Sequence, residues 1–268
     1  MKYEMKAVMN TAEERQKKIV ELLQEELFLD ITTLTRRMSV SVATIRRDLD
    51  ELEQAGLLRR THGGAVSVNQ VAQDPTHATR AVSRLPQKAG IAAEAVRMIA
   101  EGDAVLLDAG TTTLEIAKLL AERKDLTVIS NGLDIINEMT RAERQNFYSV
   151  GGEFTDANRS FRGPLAENFI RQFNVDKLFL NAASVDLERG LICTTTPLNA
   201  SVEKAMIEVS SRVIVVADYS KFTKSSLSVT TQIDDVDVII TDKGAQGFLE
   251  KVPDKWRRKF VTATPARN

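Results

Sequence analysis

Residues Val42–Ala65, "VATIRRDLDELEQAGLLRRTHGGA", carry two arginine pairs, Arg46-Arg47 and Arg59-Arg60, and no lysine. The segment predicts a helix that begins after Ser41, a good N-cap, and stops at Gly56, a good C-cap. On a wheel of about 100° per residue, Val42, Ile45, Leu49 and Leu52 share one side and must pack inward. Ala43 and Arg47 then point away from that side, with Thr44 and Arg46 on the flanks. Beyond Gly56, two short extended arms around Gly63-Gly64 predict a β-hairpin. The two glycines are expected to supply the positive φ of a tight turn.

Working outward, Ile19, Leu22 and Leu23 recur at helical spacing between Thr11 and Leu27, an amphipathic first helix. A short second helix fits Thr33–Met38, capped by Thr32 or Asp30. Three helices with a turn before the third are a helix-turn-helix arrangement, whose last helix enters the major groove of DNA by its N-terminal part. Small Ala43 permits close approach, Thr44 reaches a phosphate or base, and an arginine such as Arg46 or Arg47 grips guanine with two hydrogen bonds. The hairpin becomes a wing, with Arg59, Arg60 and His62 near phosphates. Between residues 31 and 68 the charge is only +2, so placement and not total charge carries the argument. The competing reading is a solvated helix face with Arg46–Asp50 and Arg47–Glu51 pairs.

At 268 residues, 43% hydrophobic and 27% charged, the chain has room for two soluble domains. A net charge of −1 gives no whole-molecule attraction to nucleic acid, which leaves a local patch to do that work. The single cysteine, Cys193, is expected in a buried strand with no role; one cysteine and two histidines argue against a disulfide or a metal site. No apolar run suits a signal peptide or a bilayer span, so a cytoplasmic location is expected.

Residues 1–68 are the expected DNA-binding domain and 69–86, with Pro75 and no steady period, the expected linker. Residues 87–268 alternate apolar strands ("AVLLD", "LTVIS", "NFYSV", "KLFLNAA", "RVIVVAD", "VDVIIT") with amphipathic helices. That alternation predicts an α/β domain whose mostly parallel sheet is covered on both faces.

"LLDAGTTT" runs from strand to loop to helix. Gly110 lets the backbone approach a ligand, and Thr111, Thr112 and Thr113 offer hydroxyls and free amides at a helix N-terminus, which suits an anion. It is neither a Walker loop nor a dinucleotide fingerprint. Asn131 and Gly132, Gly151 and Gly152, and Arg162 and Gly163 follow other strands or open other helices, expected on the same sheet edge. Lys204 and Lys221 add cations, and Asp108 and Asp218 suit sugar hydroxyls. Each has a plainer alternative as a cap, a turn or a solvated side chain.

"SVATIRRDLDELEQAGLLRRTHGGA" resembles the winged helix-turn-helix signature of the DeoR family of bacterial sugar-operon regulators. The pieces "LLDAGTTT", "ISNGLDII", "GGEF", "FRGPLAENFI", "VEKAMIE" and "VADYSKF" resemble that family's effector domain, which is similar to phosphosugar isomerases. The resemblance implies a regulator, most simply a repressor of a carbohydrate-catabolism operon, acting as a dimer or tetramer on operator DNA. It also implies a phosphorylated sugar or related metabolite at the Thr111–Thr113 loop, and no cofactor. One departure stands out: the family's Gly-Ala-Asp run is replaced by Asn181-Ala182-Ala183-Ser184, without a carboxylate for acid/base work. That counts against the rival function, a phosphosugar isomerase with an accessory DNA-binding domain.

Overall fold

The computed structural model describes residues 11–26, 28–61, 63–67, 76–143 and 146–264. The chain divides into two compact units, Met1–Ala72 and Gln73–Asn268.

The first unit runs α1 (Ala12–Glu26), β1 (Phe28–Asp30), α2 (Ile31–Met38), α3 (Val42–Gln54), β2 (Leu58–Thr61) and β3 (Gly64–Ser67). Asp30 caps α2 by accepting from the Thr33 amide and hydroxyl at 2.8 and 2.7 Å. Ser41 caps α3 by accepting from the Thr44 amide at 3.1 Å. Ser39 takes the left-handed conformation that turns the chain between the two helices, and Gly56, at φ 70°, ends α3. Ile19, Leu23, Leu34, Ile45, Leu49 and Leu58 pack into one core.

Three local expectations are corrected. Val42, the first residue of α3, is 42% exposed, so the inward stripe begins at Ile45. The hairpin gains a third strand, β1, in the order β1-β3-β2. And neither Gly63 nor Gly64 is left-handed. Gly64 pairs with Asp30 across β1 and β3, and a Cβ there would stand 2.0 Å from the Leu29 carbonyl oxygen. Close approach of two strands, not turn geometry, demands that glycine.

The second unit opens with α4 (His77–Val82) and α5 (Leu85–Val96). The range 69–86 expected to be linker therefore holds one whole helix and the start of another. Its alternation then runs β4 (Ala104–Leu107), α6 (Thr111–Leu120), β5 (Thr127–Ser130), α7 (Leu133–Arg141), β6 (Phe147–Ser149), β7 (Glu153–Thr155), β8 (Ser160–Arg162), α8 (Pro164–Ile170) and β9 (Lys177–Asn181). There follow β10 (Ser184–Asp186), β11 (Leu191–Thr194), α9 (Pro197–Glu208), β12 (Val213–Val216), β13 (Ser228–Gln232), β14 (Val238–Asp242), α10 (Gln246–Leu249), α11 (Asp254–Arg257) and β15 (Phe260–Ala263).

A seven-stranded sheet in the order β15-β14-β12-β9-β4-β5-β6 is parallel at every pairing. Its inner strands are buried along most of their length, β12 (Val213–Val216) and β14 throughout, which matches their apolar runs. Separate cores lie on its two faces, one with Ile91, Ile116 and Ile135 from α5, α6 and α7, the other with Ala166 and Met206 from α8 and α9. β10, β11 and β13 form a small antiparallel sheet. From β4 the chain moves out to β5 and β6; from β9 it moves the other way, to β12 and β14. The neighbours β4 and β9 thus mark a switch point, and the crevice at their carboxyl ends is where open α/β sheets take ligands.

Candidate functional site

On α3 the outward face is as expected: Ala43, Arg46 and Arg47 are exposed and Thr44 is half-exposed. The Arg46–Asp50 and Arg47–Glu51 pairs do not form. Asp50 instead meets Arg60, and Glu51 accepts from the Gln16 amide at 2.6 Å, which leaves Arg46 and Arg47 available to a ligand. Asp48, which follows Arg47 in sequence, is buried and accepts two hydrogen bonds from Arg15, at 2.5 and 2.8 Å. That bidentate clamp fastens α3 to α1 and fixes how the exposed arginines are presented. A shallow groove beside them is lined by Ala12, Ala43, Thr44 and Arg47.

The wing is tied to the same helix. Arg60 donates its backbone N–H to Glu53 at 2.6 Å and its guanidinium to Asp50, so its charge is spent on holding β2 against α3. Arg59 lies in β2, and Ser41 shares a 2.8 Å hydroxyl contact with Thr44. Gly63 and Gly64 form the wing's turn and the start of β3. His62 lies outside the described residues.

In the second unit, Asp108 and Asn181 stand at the switch point, just after β4 and at the end of β9. Asp108 Oδ2 accepts from the Asn181 backbone N–H at 3.1 Å. The Asn181 side chain donates to Thr113 Oγ1 at 2.7 Å and to the Asp108 carbonyl at 3.2 Å. Thr113 Oγ1 in turn donates to that carbonyl at 2.6 Å. Thr113 is therefore a brace of the loop, and Thr111 and Thr112 remain as the hydroxyls with no bond inside this network.

Asn131 is also a brace: it accepts from the Ala109 N–H at 2.9 Å and donates to the Phe161 carbonyl at 3.1 Å. Gly132 packs 3.1 Å from Ala109 through the position a Cβ would take. A Cβ on Gly151 would meet open space, whereas one on Gly152, at φ 146°, would stand 2.7 Å from the Arg162 carbonyl oxygen. Arg162 pairs with Glu153 across β7 and β8 at 2.9 Å, and left-handed Gly163 leads into Pro164 and α8. Lys204 is exposed on α9 and is not brought to the crevice.

Its neighbour Glu203 is, and the sequence reading passed over it. Glu203 is 6% exposed and accepts from the Thr230 hydroxyl. The signal was the helical period, which sets Glu203 on the buried stripe of Asn199 and Met206. Burial, and then the charge of Asp108, push Glu203 up to about 8. Burial likewise pushes Asp108 up to about 7, against the amide of Asn181. Near neutral pH the two carboxyls hold at least part of their protons, so they present hydrogen-bond donors without repelling an anion.

On the far side of β9, Asp218 follows β12 and caps a 3-10 turn, accepting from Ser220 N and Oγ at 2.9 and 2.6 Å. Burial would raise it, but Lys221, Ser220 and Arg84 together hold it below the ordinary carboxylate value. Lys221 lies in that turn, its own value lowered by burial.

A winged helix with an outward arginine face, followed by an α/β unit with a polar crevice at its switch point, defines a DNA-binding regulator with a separate sensor. The model of the DeoR-like helix-turn-helix domain matches residues 15–71, and that of the DeoR C terminal sensor domain matches residues 83–243. The chain belongs to the DeoR family and is a transcriptional regulator. It is 66% identical to the transcriptional repressor AccR of Agrobacterium fabrum over 96% of this chain and 99% of that one. It is 34% identical to a putative aga operon transcriptional repressor of Escherichia coli O157:H7 over 86% of each. Among solved structures it is similar to ribose 5-phosphate isomerase A of Methanocaldococcus jannaschii, with 17% identity, a TM-score of 0.38 and 50% and 53% of the two chains covered. Among the described residues no helix is long and apolar enough to cross a membrane.

Proposed function

We propose that this regulator represses a carbohydrate-catabolism operon and that a phosphorylated sugar, or a related metabolite, controls its hold on the operator. The observation that carries the reading is Arg46 and Arg47 exposed on a helix that a buried Arg15–Asp48 ion pair fastens to α1. Ala43, Thr44 and the two arginines read bases, with Ser41, Arg59, His62 and the Gly63-Gly64 turn along the backbone. Residues 1–68 form the DNA-binding domain, and the rest of the chain senses and assembles. Two-fold operators call for a dimer or tetramer, and the setting is the cytoplasm.

In the sensor, Asp108, Glu203 and Asp218 address hydroxyls, while Gly110, Thr111, Thr112 and Lys221 address the anionic end. The effector shifts the balance between DNA-competent and DNA-incompetent states by its differential affinity for them. Fluorescence anisotropy on fragments from the gene's own upstream region, with and without sugar phosphates, tests this. Absence of any binding at low salt would end it.

A second reading has its own support. The carboxylate missing at 181–184 is matched by Asp108 and Glu203, brought together from β4 and α9 with raised affinities for protons, as acid/base catalysis requires. We hold the protein to be a regulator without turnover; isomerisation of pentose or hexose phosphates at ordinary enzymatic rates would reverse that.

A further inference from the structure

Asn199, in the first turn of α9, is 7% exposed, and its side-chain amide is only half used. Its Nδ2 donates to Thr195 Oγ1 at 3.1 Å, which directs the amide back over the start of the helix. Its Oδ1 is buried and has no hydrogen-bond partner among the described residues. Whichever way the amide is turned, one of its two ends is left over. A polar group shut away from water without a hydrogen bond costs free energy, so one that persists calls for a reason.

The fold places that amide. The Val209 carbonyl, just past the end of α9, accepts from the Val175 N–H at 2.9 Å, two residues before β9 begins. α9 therefore ends at the amino edge of the sheet. It packs on β9, and its 12 residues, about 18 Å of helix, carry it back toward the carboxyl edge. There the Ala183 N–H, two residues past β9, donates at 3.0 Å to the Cys193 carbonyl in β11, the strand that leads into α9. Asn199 is thus set beside the end of a switch-point strand, one helical turn before Glu203 on the same buried stripe. α6 flanks that edge from the other face of the sheet.

The chemistry at this end of α9 suits a neutral group. Pro197 opens the helix without an N–H, and the Asn199 N–H is taken by Thr196 Oγ1 at 3.2 Å. Few amides are left there to hold an anion. A side-chain amide has a donor end and an acceptor end, and a hydroxyl can answer either.

We propose that Asn199 determines the specificity of the sensor, its amide pairing with a hydroxyl at the end of the sugar remote from the phosphate. The inference rests on the sensor taking a phosphorylated sugar, and adds the residue that tells one such sugar from another. A ligand without that hydroxyl leaves the Asn199 amide buried and unpaired in the complex. Contacts of that kind discriminate strongly, because the penalty falls on the wrong ligand.

The full-length protein is titrated calorimetrically with two pairs of probes at millimolar concentration: ribose 5-phosphate against 2-deoxyribose 5-phosphate, and glucose 6-phosphate against 2-deoxyglucose 6-phosphate. Wild type is expected to prefer the hydroxylated member of at least one pair by about tenfold or more, and Asn199→Leu to bind both members alike. A second readout needs no ligand. Replacing an unpaired buried polar group by an apolar one of similar shape is neutral or stabilising, so Asn199→Leu is expected to unfold no earlier than wild type. Should leucine prove too bulky to fold, Asn199→Ala decides on the preference alone. A variant that is less stable yet keeps the preference assigns the amide to the fold and overturns the inference. Wild-type binding with no preference in either pair overturns it as well. Failure of wild type to bind any of the probes would instead remove the phosphosugar reading, and the inference with it.

Discussion

Asn181 occupies the space that Gly110 leaves open: a Cβ on Gly110 would stand 2.4 Å from the Asn181 side chain. The residue that departs from the family's acidic run is thus a structural partner of the threonine loop, holding Thr113 and the Asp108 carbonyl at 2.7 and 3.2 Å. Gly110→Ala would push Asn181 off both acceptors. Crowding of this kind costs roughly 1–3 kcal/mol, and the sensor unit is expected to unfold earlier in urea and to lose its response to metabolite. A variant with wild-type stability and response would show that the loop tolerates a displaced Asn181.

A matching prediction concerns the wing. Gly64→Ala sets a methyl group against the Leu29 carbonyl oxygen, which is backbone and cannot swing away. β1 and β3 must part, at roughly 1–3 kcal/mol, and the first unit's thermal transition should fall. Gly63→Ala, with nothing within 4 Å of its new Cβ, is the control and should change little.

Arg47→Ala is expected to lower operator affinity by about 1–3 kcal/mol and to relax preference at one base pair, as loss of a bidentate base contact does. Arg60→Ala should act differently, because Arg60 is held by Asp50 and Glu53. It should lower the stability of the first unit and leave the salt dependence of DNA binding nearly unchanged. A flattened salt slope would return Arg60 to the phosphate contacts.

The periodic parts of the chain were legible. The stripe of Ile45, Leu49 and Leu52 and the runs of β4, β5, β9, β12 and β14 are strong local signals, and their elements lie where the sequence places them. What escaped was tertiary or short. α4 is six residues long, too brief to set up a period. β13, "SVTTQ", and half-buried β15 lack an unbroken apolar run and gain their pairing from neighbours distant in sequence. Gly64 obeys an inter-strand contact that no turn rule contains. In the site, Lys204 drew attention because it is a cation, while Glu203, one residue earlier, faces the crevice. Only folding brings Glu203 beside Asp108, so their shared proton affinity could not be read along the chain.

That pair makes the sensor's stability depend on pH. Folding raises the proton affinities of Asp108 and Glu203, to about 7 and about 8. A carboxyl raised on folding favours the folded state fully below its unfolded value near 4, and that advantage is lost as pH climbs through the folded value. Stability carried by the pair should therefore fall between about pH 5 and 8, on the order of a few kcal/mol. His77, lowered chiefly by burial, contributes with the opposite sign at the acid end of this window. Lys88 and Lys224, which burial brings down to about 8, begin to oppose the fall only above it. The difference between wild type and Glu203→Gln isolates the Glu203 part, since Gln keeps the shape and an acceptor for Thr230 but takes up no proton, while burial still raises Asp108. Urea unfolding of both proteins at pH 5, 6.5 and 8 should show a steep decline for wild type and a flatter one for Glu203→Gln. Parallel slopes would mean that Glu203 is ionised in the folded sensor, and would remove the neutral, hydroxyl-reading face ascribed to the crevice.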